Sequence, residues 1–166
     1  MFDKLTEEDI RKMQEEIDYR KFEVRPKALE DLKAASEQGD RSENFEYYAA
    51  KRFKNKNESR IRYLEKMIAT ATVIKSNTAE GIVSIDNTVE IEYLEDGEVE
   101  QCKIVTTVRA DSLENRITPE SPLGKALMGR KTGDVVTVKV DADYQYEVRI
   151  LKVIKTDGSG DAINSY

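Results

Sequence analysis

Apolar side chains recur at three- and four-residue spacings as far as Ala71, and at every second position beyond Gly81. The first period belongs to helices with one buried face and the second to half-buried strands. In the first half, Ile10, Met13, Ile17, Val24, Ala28, Leu32 and Ala35 trace one side of a helix that Thr6 caps, with Glu7, Glu8 and Asp9 in its first turn. Pro26 lies inside that pattern, so a kink or weakened turn is predicted near Val24-Arg25. A second helix follows through Ala50, Phe53, Asn57, Ile61, Leu64, Ile68 and Ala71, with polar Asn57 in the seam. Between the two stands Gly39-Asp40-Arg41-Ser42-Glu43-Asn44. Gly39, the only glycine before Gly81, is placed to end the first helix in the left-handed region, and Ser42 to cap the second. Two helices of about 30 residues, each about 45 Å long at 1.5 Å per residue, thus form a hairpin over residues 1–75 with its tip at 39–44.

The second half reads as a sheet with one short helix. Val89–Tyr93, Val99–Val105, Val135–Val140 and Tyr146–Ile154 are predicted strands, with turns at Glu95-Asp96-Gly97-Glu98 and Lys131-Thr132-Gly133-Asp134. Ser121-Pro122-Leu123-Gly124-Lys125-Ala126-Leu127-Met128-Gly129 supplies a cap, a proline at the first helical position and a closing glycine. Ser76-Asn77-Thr78 is a short polar connection between the halves. The predicted class is therefore α+β: a long antiparallel α-helical coiled-coil hairpin over 1–75, a sheet domain over 76–155, and a flexible tail over 156–166.

Composition narrows the chemistry. The chain has no histidine, so imidazole bases and His-ligated zinc are excluded and any metal must take oxygen ligands. Its single cysteine, Cys102, allows no internal disulfide. There is no membrane-length apolar run and no leader pattern at Met1-Phe2-Asp3-Lys4, so a cytoplasmic protein is expected. The net charge of -6 arises in the second half: residues 1–75 hold 17 basic and 16 acidic side chains, residues 76–166 hold 10 and 17. Within the first half, Lys51, Arg52, Lys54, Lys56, Arg60 and Arg62 face only Glu58. Arg52, Lys56 and Arg60 recur at four-residue spacing as a stripe, which is either a solvated helix face or a track for a phosphate backbone.

The tip hexapeptide, with Glu46-Tyr47 and Arg60-Ile61-Arg62-Tyr63-Leu64-Glu65, resembles the coiled-coil hairpin of the bacterial Gre transcript-cleavage factors. Ser121–Gly129 with Gly133-Asp134-Val135-Val136 is similar to that family's C-terminal module, which is FKBP-like. The Arg41-Ser42 pair leans toward the GreB branch and Ala49-Ala50-Lys51 toward the GreA branch. The resemblance implies an accessory factor that enters the secondary channel of a backtracked bacterial RNA polymerase, whose own active centre then cuts the nascent RNA at its 3′ end. It implies that Asp40 and Glu43 assist in trans by holding a Mg²⁺ shared with the polymerase, with no resident cofactor, membrane or small-molecule substrate. Ser42, Asn44 and Tyr47 then support the tip, and Tyr47 and Phe45 either pack beneath the turn or stack on RNA bases. Arg52, Lys56 and Arg60 meet RNA, and Glu120, Ser121 and Pro122 dock on the polymerase rim.

Three other functions compete with this reading. They are a channel-entering factor that inhibits transcription or does not stimulate cleavage, an FKBP-like isomerase or chaperone, and a coiled-coil adaptor without chemistry. The intact Asp40 and Glu43 weigh against the first, and the lack of tryptophan and few aromatics in the second half against the second.

Overall fold

The computed structural model of the chain describes residues 3–38, 44–75 and 79–165. It divides into two compact units, one built on residues 10–71 and the other on residues 4–9 and from Thr72 onward. The architecture is α+β, as the two periodicities require. No described helix is long and apolar enough to cross a membrane.

In the first unit, helix α1 (Glu7–Tyr19) leads through a π-helical turn (Arg20–Val24) into α2 (Arg25–Ser36). The start of α1 is fixed by reciprocal bonds: the Asp9 N–H donates to Thr6 Oγ1 at 3.2 Å, and the Thr6 N–H to Asp9 Oδ2 at 3.0 Å. The irregularity expected near Val24-Arg25 is the π turn, in which the Arg25 N–H reaches back to the Arg20 carbonyl. Pro26 has no N–H and its ring crowds the preceding turn, so a locally wider helix immediately before it relieves both problems.

Helix α3 (Phe45–Thr70) returns antiparallel to the first helical segment. Asn57, Ile61, Leu64 and Met67 are buried on it, as Met13, Ile17, Ala28 and Ala35 are on the first helical segment. Phe53, expected in the seam, is 55% exposed. The buried face toward the tip instead follows Tyr47, Ala50 and Lys54, all half-buried, into Asn57. That register is a regular three-and-four alternation, and Phe53 lies one residue off it. A lysine suits such a position because its aliphatic stem tolerates burial while its ammonium reaches water.

The second unit is a five-stranded sheet in the order β5-β4-β3-β7-β6, where β3 is Thr88–Tyr93, β4 Val99–Ile104, β5 Arg116–Ile117, β6 Val135–Lys139 and β7 Gln145–Ile154. All pairs are antiparallel except β4 with β5. The four longer strands match the predicted runs to within a residue or two, and Gly97 (φ +74°) and Gly133 (φ +92°) supply the left-handed residues of the two predicted turns. Val89, Ile91, Cys102, Ile104, Val136, Val138, Val148 and Ile150 form one buried face, packed with Leu127 of α4 (Pro122–Leu127).

Sequence reading missed a two-stranded parallel pair, β1 (Lys4–Leu5) with β2 (Thr72–Val73), which places residues 4–9 in the second unit. The tail expected to be flexible from Thr156 is instead built into that unit. Asp161 is buried, Gly158 lies against the Arg109 guanidinium, and the Asn164 N–H donates to the Val108 carbonyl at 2.8 Å.

Candidate functional site

The hairpin tip is framed by one side chain. Asn44 is the N-cap of α3: its Oδ1 accepts the Tyr47 N–H at 3.0 Å, while its Nδ2 donates to the Ala35 carbonyl at 2.6 Å. Helix ends leave N–H groups unsatisfied at one end and carbonyls at the other. Asn44 satisfies one of each, on two different helices, and so pins the ends of the connection that carries the tip acids. Asp40, Glu43 and Ser42 themselves lie outside the described residues.

The cap is Asn44 rather than the expected Ser42. Serine and asparagine cap a helix about equally well, but only the amide offers N–H donors as well as an acceptor, and the Ala35 carbonyl needs a donor. As a result the acid in the first turn of α3 is Glu46, not Glu43, which precedes the cap. Tyr47 is half-buried with its ring edge-on to Tyr48 at 5.5 Å, whereas Phe45 is 87% exposed and does not pack beneath the turn.

The basic stripe breaks at its third member. Arg52 and Lys56 are exposed, but Arg60 is buried, donating to both carboxylate oxygens of Glu16 at 2.9 and 3.1 Å. A four-residue step turns about 400° at 3.6 residues per turn, so two steps swing about 80° around the helix. That rotation carries Arg60 from the outer face into the seam. Burial pushes the Glu16 carboxyl up, but the bonds from Arg60 and Arg20 outweigh it and hold the group below its ordinary value. Arg25 makes a second two-pronged contact across the hairpin, to Glu58 at 2.7 and 2.9 Å, and Arg20 reaches Asn57 Oδ1 at 3.1 Å. These polar rungs fix the register of the two helices where the apolar seam alone is thin.

In the second unit, Ser121 caps α4 as expected. Its Oγ accepts the Gly124 N–H at 3.1 Å and donates to the Thr118 carbonyl at 2.7 Å. Glu120 and Pro122 are exposed beside it and line a shallow cavity of about 330 Å³ with Lys125, Thr137 and Lys139.

A buried ion cluster escaped the sequence reading. The fully buried Arg109 guanidinium meets Asp9 at 2.5 Å, Asp86 at 2.6 Å and Asp161 at 2.9 Å, and Lys103 meets Asp161 at 2.8 Å. Burial raises Asp86 above its ordinary value despite Arg109. Burial raises Asp161 as well, but the bonds from Lys103 and Arg109 prevail and its carboxyl sits low. No local motif announces five charges drawn from positions 9 to 161; the only trace is Asp9 in a capping box. Among the described residues no three of His, Cys, Asp or Glu are grouped so as to hold a metal ion.

Residues 4–73 match the family model described as transcription elongation factor, N-terminal, and residues 78–155 the one described as transcription elongation factor, GreA/GreB, C-term. The chain is 37% identical over 150 residues to transcription elongation factor GreA of Mesomycoplasma hyopneumoniae (strain 7448), covering 90% of this chain and 92% of that one. It is 40% identical over 153 residues to the GreA of Streptococcus suis (strain 05ZYH33), covering 92% and 95%. Among solved structures, the GreA factor homolog 1 protein of Thermus thermophilus is 26% identical, with 92% and 99% coverage and a TM-score of 0.43.

Proposed function

The chain belongs to the GreA/GreB transcription elongation factor family, and on that membership we propose that it binds a backtracked bacterial RNA polymerase through the secondary channel and stimulates the polymerase's own cleavage of the RNA 3′ end. The chain acts as an accessory factor, and the bond-breaking centre is the polymerase's. The observation that carries the reading is the Asn44 clamp: one side chain ties the end of α2 to the start of α3, the two described helix ends between which Asp40 and Glu43 lie in the sequence.

Mg²⁺ prefers oxygen ligands, keeps several waters and is usually held by one or two carboxylates plus phosphates. Asp40 and Glu43 fit that chemistry as a partial ligand set that another site completes, and a second shared metal supplies water activation and leaving-group stabilisation in phosphodiester hydrolysis. The exposed Arg52 and Lys56 offer cations to the RNA phosphates. Glu120, Ser121 and Pro122 are the proposed docking contact, held rigid by the Ser121 cap.

The test is to add the purified chain with Mg²⁺ to a stalled, backtracked elongation complex carrying end-labelled RNA. Shortened RNA is expected with the parent, and loss of cleavage with Asp40→Ala or Glu43→Ala at unchanged polymerase binding. Parental cleavage by both variants refutes the metal-sharing role. Bound protein that blocks extension without shortening RNA assigns the chain to the inhibitory class instead.

A further inference from the structure

The core face of the five-stranded sheet ends in tyrosine rather than in aliphatic residues. Along β3 the inward positions run Val89, Ile91, Tyr93, along β4 Ile104, Cys102, Glu100, and along β7 Ile150, Val148, Tyr146. The aliphatic members are buried, whereas Tyr93, Tyr146 and Glu100 are only half-buried. Tyr144, from the β6–β7 turn, extends the row and is 55% exposed. Ring centroids lie 5.7 Å apart for Tyr93 and Tyr146 and 6.0 Å apart for Tyr144 and Tyr146, tilted by 41° and 45°. The Tyr93 hydroxyl donates to Glu100 Oε2 at 2.7 Å, which fixes the inner ring and sets a carboxylate beside it.

The strand order places acids around this row. β3 and β6 both run antiparallel to β7, so the β3–β4 and β6–β7 turns emerge at the same end of the sheet. The first turn carries Glu95, Asp96 and Glu98, the second Asp141 and Asp143, and neither contains a lysine or arginine. The result is an aromatic row, half-buried at Tyr93 and Tyr146 and exposed at Tyr144, beside two acidic turns. An RNA or DNA backbone is repelled by such turns. A cation is attracted twice, by the carboxylates and by the negative faces of the rings. Guanidinium suits the site better than ammonium because it is planar, weakly hydrated and stacks on aromatic rings.

We propose that this tyrosine row is a docking surface for an arginine-bearing segment of a protein partner, with the guanidinium stacked on Tyr144 and Tyr146 and paired with the acids of the two turns. It is independent of the hairpin tip, and its test reads no RNA cleavage, so the two readings stand or fall separately.

A capped hexa-arginine peptide titrated into the full-length chain, followed by NMR, is expected to move the ring signals of Tyr144 and Tyr146. Tyr144→Leu keeps an apolar side chain of similar reach but no ring, and is expected to weaken binding about 2- to 5-fold, the value of one exposed cation–π contact. Tyr144→Phe keeps the ring face and is expected to bind like the parent. Peptide that binds with the ring signals unmoved, or equally well to Tyr144→Leu, shows attraction to the acids alone and overturns the proposal, as does a failure to bind.

Discussion

Replacing Asn44 separates the two bonds that frame the tip. Asn44→Ala removes the cap on the Tyr47 N–H and the donor to the Ala35 carbonyl together. The cap contributes about 1 kcal/mol, and the cross-tip bond a net of about 1 kcal/mol. The loss is therefore about 2 kcal/mol, confined to the first turn of α3 and the last of α2. Asn44→Asp keeps an acceptor for Tyr47 but has no donor, so it loses the cross-tip bond alone, about 1 kcal/mol. Amide hydrogen exchange in the whole chain reads this locally. Protection of Tyr47 and Tyr48 is expected to fall about 30-fold in Asn44→Ala, because 1 and 2 kcal/mol correspond to factors of about 5 and 30. In Asn44→Asp, which loses the cross-tip bond alone, the Tyr47 amide is expected to lose only about 5-fold of its protection while stimulated RNA cleavage drops. Unchanged Tyr47 exchange in Asn44→Ala refutes the clamp. Cleavage as strong in Asn44→Asp as in the parent shows that cross-tip anchoring does not serve the chemistry.

Removal of Arg109 strands three buried carboxylates, so Arg109→Met is expected to cost about 3–5 kcal/mol, measured by urea unfolding of the second unit. A Cβ on Gly124 would meet the Thr118 carbonyl oxygen at 1.9 Å, so Gly124→Ala is expected to destabilise by about 3 kcal/mol, the upper end for overpacking. The Glu16 and Glu58 carboxyls both sit below their ordinary values. Burial opposes the lowering of Glu16, which Arg60 and Arg20 produce, and the Arg25 bond leads at Glu58. A carboxylate depressed in the fold stabilises it above the unfolded value, about 4.3, and that stability is lost as pH falls through the lower folded value. The hairpin is expected to loosen in that acid window when followed by amide exchange along α3, and Glu16→Gln to remove part of the pH dependence. A fragment of residues 76–166 lacks Asp9, β1 and β2, so it is expected to melt at a lower temperature than the second unit does in the whole chain.

The elements themselves were legible because each is fixed by a local rule. Period-two runs gave the four longer strands, glycines at positive φ gave the turns, and Thr6 and Ser121 gave their caps. The α3 register was less legible, because two polar residues, Lys54 and Asn57, occupy seam positions and a count of apolar residues selects Phe53 instead. Arg60 was misread for a related reason: spacing at four residues keeps side chains near one another but does not hold them on one face over two turns.

The choice between Ser42 and Asn44 was undecidable locally. Either can cap a helix, and only the Ala35 carbonyl across the tip favours an amide. The same holds for the ends of the chain. Asp9, Asp86 and Asp161 are ordinary acids in sequence, and the tail carrying Asp161 has the composition of a flexible segment. They meet because a guanidinium buried at position 109 must be neutralised by whatever carboxylates the fold can bring to it. Hydrophobic period, turn chemistry and capping act over a few residues and are written along the chain. Burial of charge and the pairing of distant polar groups depend on desolvation in the folded molecule, so only the tertiary structure decides them.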